Sequence, residues 1–358
     1  MSAIPADHRR FLAGCRMPAE WEPHLATYLV WPHNRDTWPG KFEPIPEVFA
    51  KLAAALSRCE PVRILVNGQG MLDQVRTAVR DAGARSERVE LLALETNDSW
   101  VRDYGPIFVN RIDAAGREPS QLALDWRFSS WGEKWGPYEL DDSVPRRLAA
   151  YYGFEVVEPG IVLEGGSIEP NGGGDLLTTE SCLLNPNRNP HLTRAEIEDY
   201  LRTYLGARRV LWLGEGIAGD DTDGHVDDLA RFVAPDTIAT VVERDPGDEN
   251  YRPLQDNLKR LRAMRARDGR VFKIETLPMP APIYYQGARL PASYANFYAA
   301  NGGVLVPTFD CAADSEALAT LGRLFPGRRL FAIPCADLVL GLGAIHCLTQ
   351  QHPMPAAA

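Results

Sequence analysis

The apolar stretch TYLVWP at residues 27–32 is followed by PEVFAKLAAALSR at 46–58 and by VRILV at 62–66. In the middle stretch, Val48 and the two leucines after it recur at four-residue spacing, which indicates one apolar face of a helix. The flanking stretches are short and rich in β-branched and aromatic residues, as buried strands are. This region therefore predicts a strand, a helix and a second strand, the basic unit of an α/β fold.

The same pattern recurs further along the chain. Its flanking strands read LLTTESCLLNP (176–186) and RRVLWLG (208–214), TIATVVE (237–243) and VFKIETL (271–277), and GGVLVPTF (302–309) and LFAIPC (330–335). One intervening helix opens with Thr193 and Glu196, the spacing of a capping box. Such repeats are typical of a doubly wound sheet or of a closed repeat array, and periodicity leaves both open. Because no linker divides the chain, we predict a single domain over residues 1–352 and a short flexible tail over 353–358.

The bulk composition narrows the class of protein. The chain is 45% hydrophobic and carries a net charge of -10 with a pI of about 5.3, which argues against nucleic-acid binding through a basic surface. The sequence shows neither a signal-peptide h-region nor the ~18 apolar residues of a membrane span. Its six cysteines are scattered without a CxxC pair, so we expect neither a disulfide framework nor a zinc site. These features predict a cytoplasmic protein that binds no membrane.

Four short segments place reactive side chains beside glycine turns. They read NDSWVRDYGP (97–106), LEGGS (163–167), DDTDGHVDD (220–228) and GLGAIHCLTQQ (341–351). Turns that follow strands are where α/β folds usually place their sites. Simpler interpretations stay open at this point. Arg102 and Asp103 could form a structural ion pair, and the acidic loop could be solvated or bind a divalent metal through oxygen ligands.

Together the segments supply what hydrolysis of a guanidinium group requires. Carboxylates bind its N–H groups and fix its plane, a thiolate attacks its carbon, and a histidine protonates the leaving ammonia and then activates water. Asp103, Glu164, His225, Asp227 and Cys347 provide these groups. On an extended strand, His225 and Asp227 would face the same side. We also expect His225 to lower the pKa of Cys347 or to exchange a proton with it.

In this order, the four segments resemble those of the agmatine deiminases, a family of the guanidine-modifying superfamily that also includes arginine deiminases. The resemblance begins with MPAEWEPHLATYLVWPHNRDTWP at 17–39. It continues through WVRDYGP, LEGGS, GHVDDLARF and GAIHCLTQQ, and so covers nearly the whole chain. It implies an α/β propeller, in which ββαβ-type repeats with fivefold pseudosymmetry surround a central active site.

The resemblance also implies a role for each matching residue. Cys347 would attack the guanidinium carbon and form a covalent amidino-cysteine intermediate, with His225 as general acid and then general base. Asp103 and Asp227 would bind the guanidinium nitrogens, and Glu164 would support His225 and the substrate. The implied function is the conversion of agmatine to N-carbamoylputrescine and ammonia in polyamine (putrescine) biosynthesis, with neither a metal nor an organic cofactor.

Recognition of the far end of the substrate is a separate question. Agmatine ends in a primary ammonium, so its site should be acidic or aromatic there, and Trp100 and Asp221 are the candidates. Two segments depart from the family pattern: GLGAIHCLT stands where many members have GGGNIHCIT, and DTDGHVDD where they have ETNGHVDN. The alternatives are a deiminase of arginine or peptidyl-arginine, or a non-catalytic guanidine or polyamine binder on the same fold. Relatives are often homodimers, so the resemblance also allows a homodimer.

Overall fold

Short strands and helices alternate along the chain in the computed structural model, which describes residues 4–111, 120–266 and 269–355. The strands in this described part are β1 (Cys15–Arg16), β2 (His24–Val30), β3 (Val62–Val66), β4 (Val89–Ala93), β5 (Ile107–Arg111), β6 (Ser120–Leu124), β7 (Glu155–Val157), β8 (Glu169–Pro170), β9 (Asp175–Thr179), β10 (Arg209–Leu213), β11 (Ala230–Ala234), β12 (Thr237–Val242), β13 (Lys273–Pro278), β14 (Tyr284–Tyr285), β15 (Ala288–Arg289), β16 (Tyr298–Ala300), β17 (Gly303–Thr308), β18 (Arg329–Pro334) and β19 (Gln350–Pro353). The α-helices are α1 (Ala6–Phe11), α2 (Ile45–Ser57), α3 (Leu72–Asp81), α4 (Val101–Tyr104), α5 (Ser130–Glu133), α6 (Glu139–Asp142), α7 (Val144–Tyr152), α8 (Glu180–Leu183), α9 (Arg194–Leu205), α10 (Tyr251–Ala263) and α11 (Ala313–Leu324). Short 3-10 helices occupy Gln69–Met71, Ser86–Arg88, Gly165–Ser167, Val226–Asp228 and Leu338–Gly341.

The strand–helix–strand units predicted from the sequence are confirmed. The first consists of β2, α2 and β3, and β3 coincides with the VRILV stretch. Val48 and the two leucines at four-residue spacing are buried on α2. Thr193 and Glu196 form the predicted capping box, since each side chain accepts the backbone N–H of the other residue. This box satisfies N–H groups that the first turn of α9 would otherwise leave unpaired.

Five sheets in the described residues share one pairing pattern. Each has a first strand antiparallel to the second and a third strand parallel to the second, with helix between the second and third. The triplets are β19–β2–β3, β5–β6–β7, β8–β9–β10, β11–β12–β13 and β16–β17–β18. β4 extends the first sheet, β1 extends the second, and β14 and β15 form a separate hairpin. The α/β class is thus confirmed, while the arrangement of the sheets around a common axis stays a prediction.

The two ends of the chain meet in one sheet. β19 pairs with β2, so that Gln350 lies opposite Tyr28 and Pro353 lies opposite His24. Pro353 is therefore buried in a strand, and the predicted start of the tail at residue 353 falls too early. The rest of that predicted tail includes residues 356–358, which lie outside the described residues.

Apolar side chains from the second strand of every triplet share one core cluster. Leu29, Ala123, Leu177, Ala239 and Leu305 belong to it. A strand that is covered on both faces reads as a continuous apolar run, which explains why these stretches stood out in the sequence. In the part of the chain that the structure describes, no helix has both the length and the apolar character that crossing a membrane requires.

Candidate active site

The predicted catalytic residues lie in short segments that lead into the first strand of a triplet. Asp103 precedes β5, Glu164 precedes β8, His225 and Asp227 precede β11, and Cys347 precedes β19. The remaining triplet contributes Asn296, just before β16. Each of these side chains is buried. Equivalent positions in five separate units therefore supply one cluster of reactive groups.

Asp103 lies in α4 with its carboxylate inside the protein. Oδ1 accepts the backbone N–H of Gly166 at 2.9 Å, and Oδ2 accepts the indole N–H of Trp131 at 2.9 Å. Oδ1 also lies 3.6 Å from Nδ1 of His225. Burial raises the pKa of Asp103 to about 6; His225 opposes this rise, whereas Asp227 adds to it. The carboxylate is thus held in place by two donors and poised to interact with a cation.

Glu164 is fixed by a buried ion pair. Its Oε1 accepts from Nε of Arg188 at 2.6 Å, and both side chains are 0% exposed. Oε2 lies 4.0 Å from Nε2 of His225 and has no hydrogen-bond partner among the described residues. Glu164 therefore commits one oxygen to Arg188 and keeps the other for His225 or for a ligand.

His225 lies between these two carboxylates. Neither ring nitrogen makes a hydrogen bond to another described residue, although the Cys182 thiol is within 4.8 Å. Burial lowers the pKa of His225, but Asp103, Cys182 and Glu164 together raise it well above its ordinary value. This shift favours the imidazolium, the form that a general acid needs.

The segment that carries His225 and Asp227 is not an extended strand, so that prediction is wrong. Val226–Asp228 is a 3-10 helix, with three residues per turn. The two side chains nevertheless reach the same region. A Cβ built on Gly166 would lie 2.6 Å from His225 Nδ1, 2.8 Å from Asp103 Oδ1 and 3.2 Å from Asp227 Oδ2. Three reactive groups therefore surround one point, which only glycine leaves open.

Cys347 presents its thiol to the same group of carboxylates. Sγ accepts from Nδ2 of Asn296 at 3.0 Å and lies 3.7 Å from Asp227 Oδ2. Burial raises the pKa of Cys347 well above its ordinary value, and Asp227 and Asp228 raise it further. The predicted lowering by His225 is therefore wrong, because the charges that act most strongly on the thiol are negative. A cation in this region would favour the thiolate.

Asp227 has one engaged and one unengaged oxygen. Oδ2 lies 2.6 Å from Nδ1 of His346, whereas Oδ1 has no hydrogen-bond partner among the described residues. Burial raises the pKa of Asp227, but the hydrogen bond and charge of His346 bring it below its ordinary value. Asp227 thus keeps Oδ1 available to a donor.

Trp100 packs against the loop that carries the nucleophile. Its ring centroid lies 5.7 Å from that of Trp38. A Cβ on Gly341 or Gly343 would lie 2.8 Å or 2.6 Å from the Trp100 ring, and the Gly343 Cβ would also lie 3.1 Å from Cys347 Cβ. Trp100 thus shapes the loop around Cys347. Its contact with the far end of a substrate stays a prediction.

Asp221 is half-buried in the loop before His225. Its Oδ2 accepts the indole N–H of Trp135 at 2.7 Å. Its neighbour Asp223 binds Lys134 at 2.8 Å, and Asp220 accepts N–H groups of its own loop. This acidic run is therefore a hydrogen-bonded loop rather than a solvated one. Binding of a substrate amine by Asp221 stays a prediction.

Two departures from the family pattern occupy left-handed backbone positions. Leu342, where the pattern has glycine, has φ of 68°, and Asp223, where it has asparagine, has φ of 67°. Aspartate tolerates this conformation nearly as asparagine does. A leucine in this conformation costs roughly 1–2 kcal/mol of folding stability. The packing of Gly341–Gly343 on Trp100 must offset this cost.

Two buried groups within the described residues have ligand atoms close enough to share a metal ion. They are Glu164, Cys182 and His225, and Asp227, Asp228 and Cys347, with atoms within 4.8 Å of one another. Both sets use residues that the thiol chemistry would need, and the metal-free reaction stays a prediction.

A comparison with known proteins shows the family to which this chain is related. The model for Porphyromonas-type peptidyl-arginine deiminases matches residues 16–353. The chain belongs to this family. It is 39% identical to the agmatine deiminase of Pseudomonas aeruginosa, over 96% of this chain and 97% of that one.

Solved structures of family members have the same fold. The agmatine deiminase of Enterococcus faecalis superposes with a TM-score of 0.88 at 32% identity and covers 99% of both chains. A cysteine-to-serine variant of the C. jejuni agmatine deiminase, with substrate bound, has a TM-score of 0.85 at 31% identity, over 96% of this chain and 97% of that chain.

The sequence interpretation missed Asn296 and His346. Asn296 donates to Cys347 Sγ and, at 2.9 Å, to Asp228 Oδ1, and it accepts the His346 backbone N–H at 2.9 Å. It lies in PASYANFYAA, which has neither a charged residue nor a glycine turn. Its place just before the first strand of a repeat was the available signal. His346 was overlooked because it adjoins the nucleophile.

Proposed function

We propose that the chain is an agmatine deiminase, which hydrolyses agmatine to N-carbamoylputrescine and ammonia. The observation that carries this proposal is the convergence of His225 and two buried carboxylates, Asp103 and Asp227, around the point beside Gly166, with the Cys347 thiol 3.7 Å from Asp227 Oδ2. Relatives and structural neighbours that bear the name agmatine deiminase support the choice of substrate. The site would take a guanidinium because that group is a planar cation with several N–H donors.

Carboxylate oxygens without partners are the proposed guanidinium-binding groups. Asp227 Oδ1 and Glu164 Oε2 are buried and have no hydrogen-bond partner among the described residues, which is costly unless a ligand donates to them. Asp103 adds a third carboxylate whose charge is disfavoured by burial. A bound guanidinium would satisfy these atoms and neutralise part of the repulsion.

The nucleophile would be activated by the substrate itself. Cys347 holds its proton because burial and carboxylates raise its pKa. A guanidinium beside Sγ would bring a positive charge that favours the thiolate, and the Asn296 N–H would stabilise it. The thiol would release its proton to water, and Sγ would bond to the guanidinium carbon as the electron pair of the C=N π bond moves onto nitrogen.

His225 would transfer protons in both halves of the reaction. As an imidazolium it would give a proton to the leaving nitrogen of the tetrahedral adduct, so that the C–N bond breaks, ammonia departs and the amidino-cysteine remains. The neutral ring would then take a proton from water, which attacks the same carbon. Cleavage of the S–C bond would release the carbamoyl product and restore Cys347 and the imidazolium.

The far amine of agmatine would contact Trp100 and Asp221. Trp135, whose indole binds Asp221, would hold that carboxylate in position. Lys134 works against this role, since it binds the neighbouring Asp223. Asp221→Asn is expected to raise KM for agmatine with little change in kcat, and an unchanged KM would remove Asp221 from the site.

We also propose that the five triplets surround the site as an α/β propeller with fivefold pseudosymmetry. Their common strand pairing and the contribution of one segment from each support this arrangement. A cytoplasmic location, a homodimer and a reaction without metal or cofactor complete the proposal. Light scattering of purified protein tests the dimer, and activity after treatment with a chelator tests the metal.

The decisive experiment compares agmatine with free arginine and an arginine-containing peptide. Ammonia release and product mass are followed, with Cys347→Ser as the inactive control. Conversion of agmatine alone to N-carbamoylputrescine is the expected result. Turnover of arginine or the peptide instead would keep the chemistry and change the substrate, and binding of agmatine without turnover would indicate a guanidine binder.

A further inference from the structure

A buried carboxylate that the reaction does not use lies behind the site. Glu20 is 4% exposed, and its Oε1 accepts the backbone N–H of Ala299 at 2.8 Å. Its Oε2 lies 2.8 Å from Nη2 of Arg231 and 3.4 Å from Nη2 of Arg102. The side chain of Arg102 is therefore directed to Glu20, not to its neighbour Asp103. These contacts fix Glu20 as an anion.

His346 connects this carboxylate to the site. Its Nε2 lies 2.7 Å from Glu20 Oε2, and its Nδ1 lies 2.6 Å from Asp227 Oδ2. Because Glu20 is held as an anion by arginines, Nε2 must carry the hydrogen of that contact. The short distance to Asp227 also requires a proton, since two lone pairs would repel each other there.

The position of that second proton decides the charge of Asp227. On Asp227 it would give a neutral carboxylic acid, which binds a guanidinium poorly. On His346 it gives an imidazolium between two carboxylates and leaves Asp227 anionic. Burial and the two arginines bring the pKa of His346 below its ordinary value, although Glu20 and Asp227 oppose this. The argument for the charge is therefore geometric, since a carboxylate oxygen lies within 2.7 Å of each ring nitrogen.

We propose that His346 is a positioning residue that keeps Asp227 anionic and aims its Oδ1 at the substrate, with Glu20 as the counter-charge. The inference rests on the proposed function, since it concerns how the same site binds a guanidinium. Without the imidazolium, Asp227 would be a buried carboxyl beside other carboxylates, and it would retain its proton to higher pH.

Several charged groups share this region, and each is unchanged in His346→Gln. Those facing His346 are Arg102 and Arg231, besides Glu20. Those facing Asp227 are Asp103, His225, Asp228 and Cys347, and Arg231 acts on Asp227 as well. A change in the pH profile of KM that follows from changing His346 alone is therefore attributed to Asp227, which lies 2.6 Å from it.

The experiment measures kcat and KM for agmatine from pH 5.5 to 9 in the wild type and in His346→Gln. Glutamine keeps a polar side chain of similar length but cannot carry the charge. We expect KM in the variant to rise as the pH falls, by about tenfold for each pH unit below the new pKa of Asp227, and to recover at alkaline pH. A merely structural role would lower activity equally at every pH.

A matched control exists elsewhere in the fold. His24 is another buried histidine with a carboxylate partner, since its Nδ1 lies 3.0 Å from Glu60 Oε1. His24→Gln should lower the melting temperature and leave the pH profile of KM unchanged. If His346→Gln does not fold, Glu20→Gln is measured in its place. This variant should shift the pH profile of KM in the same direction.

The outcomes separate this inference from the proposed function. An active wild type, with variants whose pH profile of KM matches it, would overturn the role of His346. A wild type that turns over no agmatine would refute the proposed function before any variant is compared.

Discussion

Replacing Asp103 by asparagine removes one negative charge beside His225 with little change in shape. Asp103 Oδ1 lies 3.6 Å from His225 Nδ1. With an effective dielectric constant of about 20, this attraction is about 332/(20 × 3.6), or roughly 4.6 kcal/mol. Glu164 remains on the other side of the ring at 4.0 Å. We therefore expect the pKa of His225 to fall.

The same substitution has a cost that must be measured separately. Both oxygens of Asp103 accept hydrogen bonds, one from Gly166 and one from Trp131. Asparagine offers only one acceptor, so one buried donor loses its partner, at about 1–3 kcal/mol of stability. Thermal unfolding of the variant gives this loss independently of the kinetics.

The assay is the pH profile of kcat/KM for agmatine. His225 must be protonated to act as the general acid, so activity falls as the pH rises through its pKa. A lower pKa therefore moves the alkaline limb of the profile to lower pH, and loss of a charged guanidinium contact lowers the maximum by roughly 10- to 150-fold. An alkaline limb that does not move would refute the view that Asp103 sets the charge of His225.

Further predictions concern the nucleophile, the glycine turn and the stability. Cys347→Ser should lose turnover and keep its melting temperature, and residual activity well above background would exclude Cys347 as the nucleophile. Gly166→Ala should be nearly inactive because its Cβ would lie 2.6 Å from His225 Nδ1. Gly70→Ala is the control and should be fully active, since nothing lies within 4 Å of its Cβ. Equal activities of the two variants would contradict the geometry. The pKa of Asp103 is raised to about 6, so its contribution to the free energy of unfolding is present at about pH 4 and is lost as the pH rises through 6. Denaturant unfolding of Asp103→Asn should show no such loss of stability over this pH range.

The sequence predicted the elements well because their burial leaves a clear periodic signal. The strand at 62–66 and the capping box of Thr193 were placed correctly, since both depend on neighbours close in sequence. The end of β19 at Pro353 was missed because its pairing partner, His24, lies at the other end of the chain. Periodicity records which face of a strand is buried, and it carries no information on which distant strand lies beside it.

For a similar reason, the sequence predicted the identity of the reactive residues better than it predicted their electrostatic surroundings. Five reactive residues stood out because each lies beside a glycine turn or another polar residue. The pKa of Cys347 was predicted in the wrong direction because the sequence shows that a histidine exists, but not which charges lie closest to the thiol. In the structure those are Asp227 and Asp228, and His225 faces Asp103 and Glu164 instead.

Crowded carboxylates explain why this site should prefer a cation. Glu164 and Asp227 each have one oxygen bound to a basic group, Arg188 or His346, on the side away from their unpaired oxygen. These partners offset the burial of the two anions but donate nothing to the unpaired oxygens. His225 relieves part of the repulsion with Asp103, and a further positive charge between the carboxylates would relieve more of it. A guanidinium provides that charge and, through the same charge, favours ionisation of the thiol that attacks it. Substrate binding and activation of the nucleophile are thus two consequences of one electrostatic arrangement, and a neutral analogue of agmatine should fail at both.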